Sequence, residues 1–234
     1  MNFDLNFAFV AFKAALKAIP TTILLAFVPF IIGIIFGTVL AIARIYKVKV
    51  IGRLAQIYVV VVKGIPVVLI LLMSYFLVSV CFDIVAIKFD LRMRAKDINS
   101  IVIVFIALSI SAIASISEVI RGAILSVGEG QFEAGYSVGL RRSQTLWRII
   151  LPQALIMAIP LLCSAFIGLI KGASLAFLVA VTDILNAALI TANGNYKFLE
   201  AYVAAALIYW ILNAAIERIC YVLENRFGTH LRGE

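Results

Sequence analysis

Residues 18–43 read AIPTTILLAFVPFIIGIIFGTVLAIA and carry no charged side chain. As a helix rising 1.5 Å per residue the run spans about 39 Å, more than the roughly 30 Å of hydrocarbon in a bilayer. Three further uncharged runs, 64–82, 98–117 and 149–170, reach about the 20 residues a crossing needs. A fifth, 201–216, is shorter but continues on both sides into amphipathic sequence. Only helices satisfy all their backbone polar groups within one such segment. The expected fold class is therefore all-α integral membrane, with five transmembrane helices.

Composition agrees. Of 234 residues 65% are hydrophobic and 14% charged, against about half and a quarter in a soluble domain. The net charge of +8 would suit nucleic acid or the polar side of a membrane. The basic residues stand between apolar runs rather than in one patch, so the membrane is the expected partner and nucleic acid is not. A single transmembrane domain over 1–234 is expected. Residues 3–17 put Leu5, Phe9, Phe12 and Leu16 on one stripe and Asn6, Lys13 and Lys17 on another. That pattern reads as an interfacial helix, with 1–18 as an N-terminal interfacial segment and no secretory signal.

Between the fourth and fifth runs, 171–199 holds Lys171, Gly172, Asp183 and Asn193-Gly194. Its uncharged parts are too short to cross alone. The expectation is a break after the fourth span, a partial helix at membrane depth and an external loop around Asn193–Lys197. With the N-terminus outside, 12 Lys and Arg side chains fall inside, Arg232 among them, and 7 outside. The bias favours an external N-terminus and a cytoplasmic C-terminus.

Cys81, Cys163 and Cys220 lack C-x-x-C spacing and read as small hydrophobes, with no disulfide framework and no metal site. His230, the sole histidine, lies in the C-terminal tail. Paired Asp residues, a Ser–His pair and H-E-x-x-H are all missing from the spans, and no G-x-x-x-x-G-K-[ST] loop exists to hold a nucleotide. The chain is not expected to be an enzyme.

The internal loop 118–152 is the most informative segment. With its neighbour Gln153 it reads EVIRGAILSVGEGQFEAGYSVGLRRSQTLWRIILPQ. Its Arg, Glu, Gln and Gly place it in water, yet Phe132, Tyr136, Leu146 and Trp147 are too apolar for an idle loop. Gly139 would stop one short helix and Ser143 would cap the next. The result is a helix–turn–helix elbow with apolar side chains on show, a mark of a partner site. Glu118 and Arg121, three apart at the end of the third span, would pair at its root.

Glu133-Ala134-Gly135, Gly139, Ile149, Leu151 and Pro152 match the spacing E-A-A-x-x-x-G-x(9)-I-x-L-P. This resembles the cytoplasmic signature of permease subunits of bacterial ABC importers. Gly135 stands where the pattern prefers Ala, which should loosen the first short helix slightly. Glu118-Val119-Ile120-Arg121-Gly122, Leu151-Pro152-Gln153-Ala154 and Lys171-Gly172-Ala173-Ser174-Leu175 are similar to the histidine/glutamine/arginine subgroup. That subgroup usually has K-D-T-S-L at the last motif. Lys63-Gly64-Ile65-Pro66 looks like its R-G-T-P.

The resemblance covers about residues 20–225. It implies a type I ABC importer permease with a cytoplasmic coupling-helix loop, carrying polar L-amino acids, cystine among them, across the bacterial plasma membrane by alternating access. It implies a second permease subunit, identical or paralogous, two ATPase subunits that bind ATP and Mg, and an extracellular substrate-binding protein. This chain itself would hold no cofactor. The ATPase contact would be formed by Glu133, Ala134, Gly135, Gly139, Leu140, Ile149, Leu151 and Pro152.

Candidates for the substrate path are Lys171, Ser174, Lys63, Ser111 and Ser115. An ammonium at the bilayer centre costs roughly 2.5–3.5 kcal/mol, so Lys171 should face water, a substrate carboxylate or Asp183. Gly33 and Gly37, with Ala41, and the row Ala107, Ser111, Ser115 read first as close helix packing. The alternative on sequence alone is an ion or solute channel assembled from helical subunits.

Overall fold

The computed structural model describes residues 3–228; Arg232, His230 and the C-terminus lie outside the described residues. The helices are α1 (Leu5–Lys17), α2 (Ile19–Ile45), α3 (Ile51–Gly64), α4 (Val67–Lys88), α5 (Ser100–Ser126), α6 (Glu129–Ser137), α7 (Arg142–Thr145), α8 (Leu151–Ala173), α9 (Ile184–Ala192) and α10 (Phe198–Gly228). Five segments are long and apolar enough to cross a membrane: Ile19–Ile45, Val67–Lys88, Ser100–Ser126, Arg142–Val179 and Phe198–Arg226. These are the five expected spans.

Local chemistry sets the boundaries. Asp4 caps α1 by accepting from the Phe7 N–H at 3.1 Å, and Asn99 caps α5 by accepting from Ile101 at 3.0 Å. Lys63-Gly64-Ile65-Pro66 joins the end of α3 to the start of α4. Ile65 is extended and Pro66 caps α4, so the chain turns a corner between two separate helices.

The main core is α5 surrounded by α2, α4 and α8, and the most extensive helix contact is α2 with α5. Gly33 and Gly37 make that approach possible. A Cβ on Gly37 would stand 3.0 Å from the Ser117 backbone N, and one on Gly33 only 2.6 Å from Ile116. The glycines therefore pack on the Ala112–Ser117 side of α5, not on the Ser111–Ser115 row.

A second core joins α1, α9 and the N-terminal part of α10 through Ala11, Ala15, Ala188, Ala192, Ala201 and Ala205. Leu5, Phe9 and Leu16 of α1 point away from it and are exposed. Lys197 pairs with Asp4 and holds its carboxyl below the usual carboxylate range, and Glu200 accepts from the Asp4 N–H.

After α8 the helix tightens into a 3₁₀ turn, Ser174–Val179, and Ala180 adopts a left-handed conformation (φ 59°) that ends it. The short α9 follows, then the turn at 193–197. The break and partial helix lie where the sequence placed them.

The cysteine expectation is corrected. Cys163 of α8 and Cys220 of α10 are bonded as a disulfide, their Cα atoms 6.0 Å apart, and Cys81 is free and exposed. The partners are 57 residues apart in sequence. Only the antiparallel packing of α8 on α10 brings them together.

Candidate coupling elbow and substrate path

The elbow begins where α5 ends. Glu118 accepts from both sides: Arg44 of α2 pairs with one carboxylate oxygen, and Arg121 donates to the other at 3.1 Å. The side chain of Arg44 is only 7% exposed, and its Nε donates to Gln56 of α3 at 2.8 Å. The expected Glu118–Arg121 pair is thus part of a network binding α2, α3 and α5 at one level. Arg44 and Gln56 were missed because 74 and 62 residues separate them from Glu118 in sequence. Higher up, Tyr58 of α3 donates to the Ile110 carbonyl of α5 at 2.8 Å.

Below this root α6 projects, with Glu133 and Ala134 exposed and Phe132 half-buried against the main core. Gly139 ends the helix at φ 81°, and the Leu140 N–H closes the turn on the Gly135 carbonyl at 3.0 Å. Ser143 does not cap the next helix. Arg141 holds the cap position, and the Gln144 side chain reaches back to accept from its N–H at 2.9 Å. A single π-helical turn, Leu146–Ile150, then leads into α8, with Pro152 in its first turn.

Tyr136, Val138 and Trp147 are 41%, 73% and 60% exposed, so the elbow shows apolar side chains beside charges of both signs, Glu129 and Glu133 on α6 and Arg141, Arg142 and Arg148 after the turn. Leu140, Ile149 and Leu151 are half-buried and Pro152 is exposed. The Tyr46 hydroxyl donates to the Arg142 carbonyl at 3.4 Å, tying the end of α2 to the same unit.

Gly135 has a different meaning from the one its helix propensity gave. It is buried, and a Cβ there would lie 2.5 Å from Thr145 Cγ2 and 2.8 Å from Thr145 Oγ1. Thr145 is β-branched, wholly buried and bonded to the Arg141 carbonyl, so it cannot swing aside. Gly135→Ala is expected to destabilise the elbow by about 1–3 kcal/mol through overpacking. Protease sensitivity of the loop should rise in that variant and return to the parent's value when Thr145→Ala is added.

A cavity of about 240 Å³ opens between the start of α4, the middle of α5 and α8. Ser111, Ser115, Gly168 and Gly172 are in its walls, with Val67 and Leu108. Lys63, Lys171 and Ser174 are not. Lys63 is exposed in the last turn of α3. Ser174 donates to the Lys171 carbonyl at 2.7 Å.

Lys171 is exposed beside Gly172. Gly172 faces Leu108, ten residues from Glu118 on α5. That puts Lys171 near the level of Leu108, about 15 Å along α5 from Glu118. Asp183 is not its partner. Asp183 is wholly buried, caps α9 by accepting from Leu185 (3.1 Å) and Asn186 (2.9 Å), and accepts the Tyr209 hydroxyl at 2.7 Å.

The sequence matches the family described as "Binding-protein-dependent transport system inner membrane component" over residues 33–229. It is 36% identical over 211 residues to the "L-cystine transport system permease protein TcyB" of Bacillus subtilis, covering 90% of this chain and 85% of that one. To the "Probable amino-acid permease protein YxeN" of the same organism it is 34% identical over 209 residues, covering 89% of each. The fold superposes on a chain of the crystal structure of an amino acid ABC transporter with histidines, with a TM-score of 0.81 and 25% identity, covering 97% of this chain and all of that one.

Proposed function

Because the chain belongs to the family of inner-membrane components of binding-protein-dependent transport systems, it is a permease subunit of an amino-acid ABC transporter, and we propose that it carries polar L-amino acids inward by alternating access. Cystine belongs to the substrate class, in keeping with the name of TcyB. The channel alternative falls with the family match. The family also implies an ATPase and a substrate-binding protein as partners. The finer assignments are ours: two ATPase subunits that bind ATP and Mg, an extracellular binding protein, and the bacterial plasma membrane with the N-terminus outside and the elbow and C-terminus in the cytoplasm. We assign 1–234 to one transmembrane domain, with 1–18 at the outer interface and 118–152 as the coupling loop.

One observation carries the reading. A single helix, α5, bears the cavity serines at its middle and the paired Glu118 at its inner end, where it enters the elbow. Ser115 and Glu118 are one turn apart, about 4.5 Å along the axis. A displacement imposed on the elbow by a closing ATPase must therefore move the cavity wall. Glu133, Ala134 and the turn at Gly139 are the surface offered to that ATPase.

Lys171 supports a second permease subunit. It stands exposed near the level of Leu108 with no acidic partner among the described residues, and hydrocarbon would not tolerate its ammonium cheaply. A second copy or a paralogue would close a hydrated path over this face, where the charge suits the carboxylate common to all amino acids.

Ser111→Leu tests the path. Filling the cavity should lower uptake at least tenfold while the ATPase still co-purifies. Uptake at the parent's rate by a well-folded Ser111→Leu chain would remove this cavity from the path. If Lys171→Met then also transported normally, this region as a whole would be excluded.

A further inference from the structure

At the elbow's side of the membrane the chain turns a corner between α2 and α3, away from the cavity and beside the elbow, where Lys47 also shares a recess with Glu133 of α6. Lys47 takes a left-handed conformation there (φ 50°), and the Val48 N–H closes the turn on the Ala43 carbonyl at 3.0 Å. A lysine holds a position that usually goes to glycine. Gly52 then lies so close to Ala43 that a Cβ would meet its carbonyl oxygen at 2.8 Å. The corner is thus fixed from both sides, and it frames an open recess of about 780 Å³.

Lys47, Lys49 and Arg53 line that recess, and no Asp or Glu does. Among the described residues none of these three cations has an acidic partner. Arg44, at the inner wall, is already engaged by Glu118. The start of α3 adds the positive end of its helix dipole to the same place.

The corner also has an apolar side. At 14 residues α3 rises about 21 Å, too short to cross. Gly52, Ala55 and Val59 are its buried residues. Its outer side shows Ile51, Leu54, Ile57 and Val61, each more than half exposed. Beside three cations without an acidic partner among the described residues, at one end of a helix, therefore stands an apolar strip that water does not suit.

We propose that this corner binds an anionic phospholipid of the leaflet on the elbow's side, its phosphate held by Lys47, Lys49 and Arg53 and its acyl chains laid along α3. A soluble anion would meet the charges but leave the apolar strip uncovered, whereas an uncharged lipid would cover the strip and leave the cations unmatched. Each cation near an anionic lipid surface strengthens the attraction about fivefold, so the three together are expected to be worth on the order of 100-fold. Through Arg44, Glu118 and the contact of Tyr46 with Arg142, the bound lipid sits against the root of the elbow.

The test is lipid retention by the full chain, purified in mild detergent, read by native mass spectrometry. Phosphatidylglycerol is titrated against phosphatidylcholine with the same acyl chains, alone and with millimolar inorganic phosphate. Phosphatidylglycerol should be retained at least tenfold better. Lys47→Gln/Lys49→Gln/Arg53→Gln should lose most of that preference, and the charge-conserving Lys47→Arg/Lys49→Arg/Arg53→Lys should keep it, which separates loss of charge from loss of fold.

Equal retention of the two lipids overturns the proposal, as does undiminished retention by the neutral variant. Displacement of phosphatidylglycerol by inorganic phosphate would assign the recess to a soluble anion instead. A neutral variant that sheds its ATPase while retaining lipid as before would assign the corner to a protein contact. Neither outcome touches the substrate path, whose variants lie elsewhere.

Discussion

Glu133→Arg is expected to abolish ATP-driven uptake while leaving the chain inserted and folded. Glu133 is exposed on α6 with no basic partner among the described residues. Surface substitutions of this kind usually move stability by no more than about 0.5 kcal/mol. At a partner surface the arithmetic differs. Placing a like charge against a complementary basic groove costs several kcal/mol, and even 2 kcal/mol is about a 30-fold loss of association. The expected result is normal abundance in the membrane, a loss of co-purifying ATPase of at least that size, and uptake at background. Gly139→Val should act on the same contact through the backbone, since a β-branched residue is strained at φ 81°. Full ATPase binding by both variants would detach the elbow from its assigned role.

Glu118→Gln is expected to be as damaging for a different reason: it removes one charge that answers two. The Arg44 side chain is almost wholly buried, so the substitution leaves a guanidinium without a counter-ion inside the protein. Breaking a fully buried pair from one side costs about 3–5 kcal/mol, and with Glu118 at 25% exposure the loss should fall below that range. Arg121, at 35% exposure, is partly hydrated and contributes less. The outcomes should therefore rank. Glu118→Gln lowers the amount of folded chain severely, Arg121→Gln does so mildly, and Arg44→Gln with Glu118→Gln recovers part of the loss because no buried charge remains. Thermal aggregation of the detergent-solubilised chain, followed by fluorescence-detected size exclusion, measures all three. A double variant no better than Glu118→Gln alone would deny that an uncompensated charge is the cause.

The spans were legible because the absence of charge over about 20 residues is a threshold property, insensitive to detail. The elbow was legible because Gly139 and the mixture of charge with Phe132, Tyr136 and Trp147 depart from both a span and an idle loop. Residues whose meaning depends on a distant neighbour were harder. Gly135 read as a weak helix former, and only Thr145, ten residues on, shows that nothing larger fits. Cys163 and Cys220 read as separate hydrophobes because their pairing follows from helix packing alone.

The α1 helix drew attention to its large apolar stripe. It is seated through Ala11 and Ala15 instead, with Phe12 half-buried beside them and Leu5, Phe9 and Leu16 turned outward, because small side chains let helices approach closely. By the same rule Gly33 and Gly37 pack closely on Ala112–Ser117, whereas Ser111 and Ser115 line a cavity. Asp183 looked like a counter-ion for Lys171 because each was the nearest unexplained charge to the other. Capping α9 and binding Tyr209 occupy it fully.

The central claim is that the elbow of this chain links an ATPase to movement of an amino acid through the membrane. It is tested most directly by reconstituting the chain with its ATPase and binding protein in liposomes and measuring uptake across a panel of polar amino acids, with and without ATP. Uptake should require ATP and the binding protein, and should vanish in Glu133→Arg although the chain remains inserted. Uptake that persists without ATP, or that Glu133→Arg leaves at the parent's rate, would contradict the account.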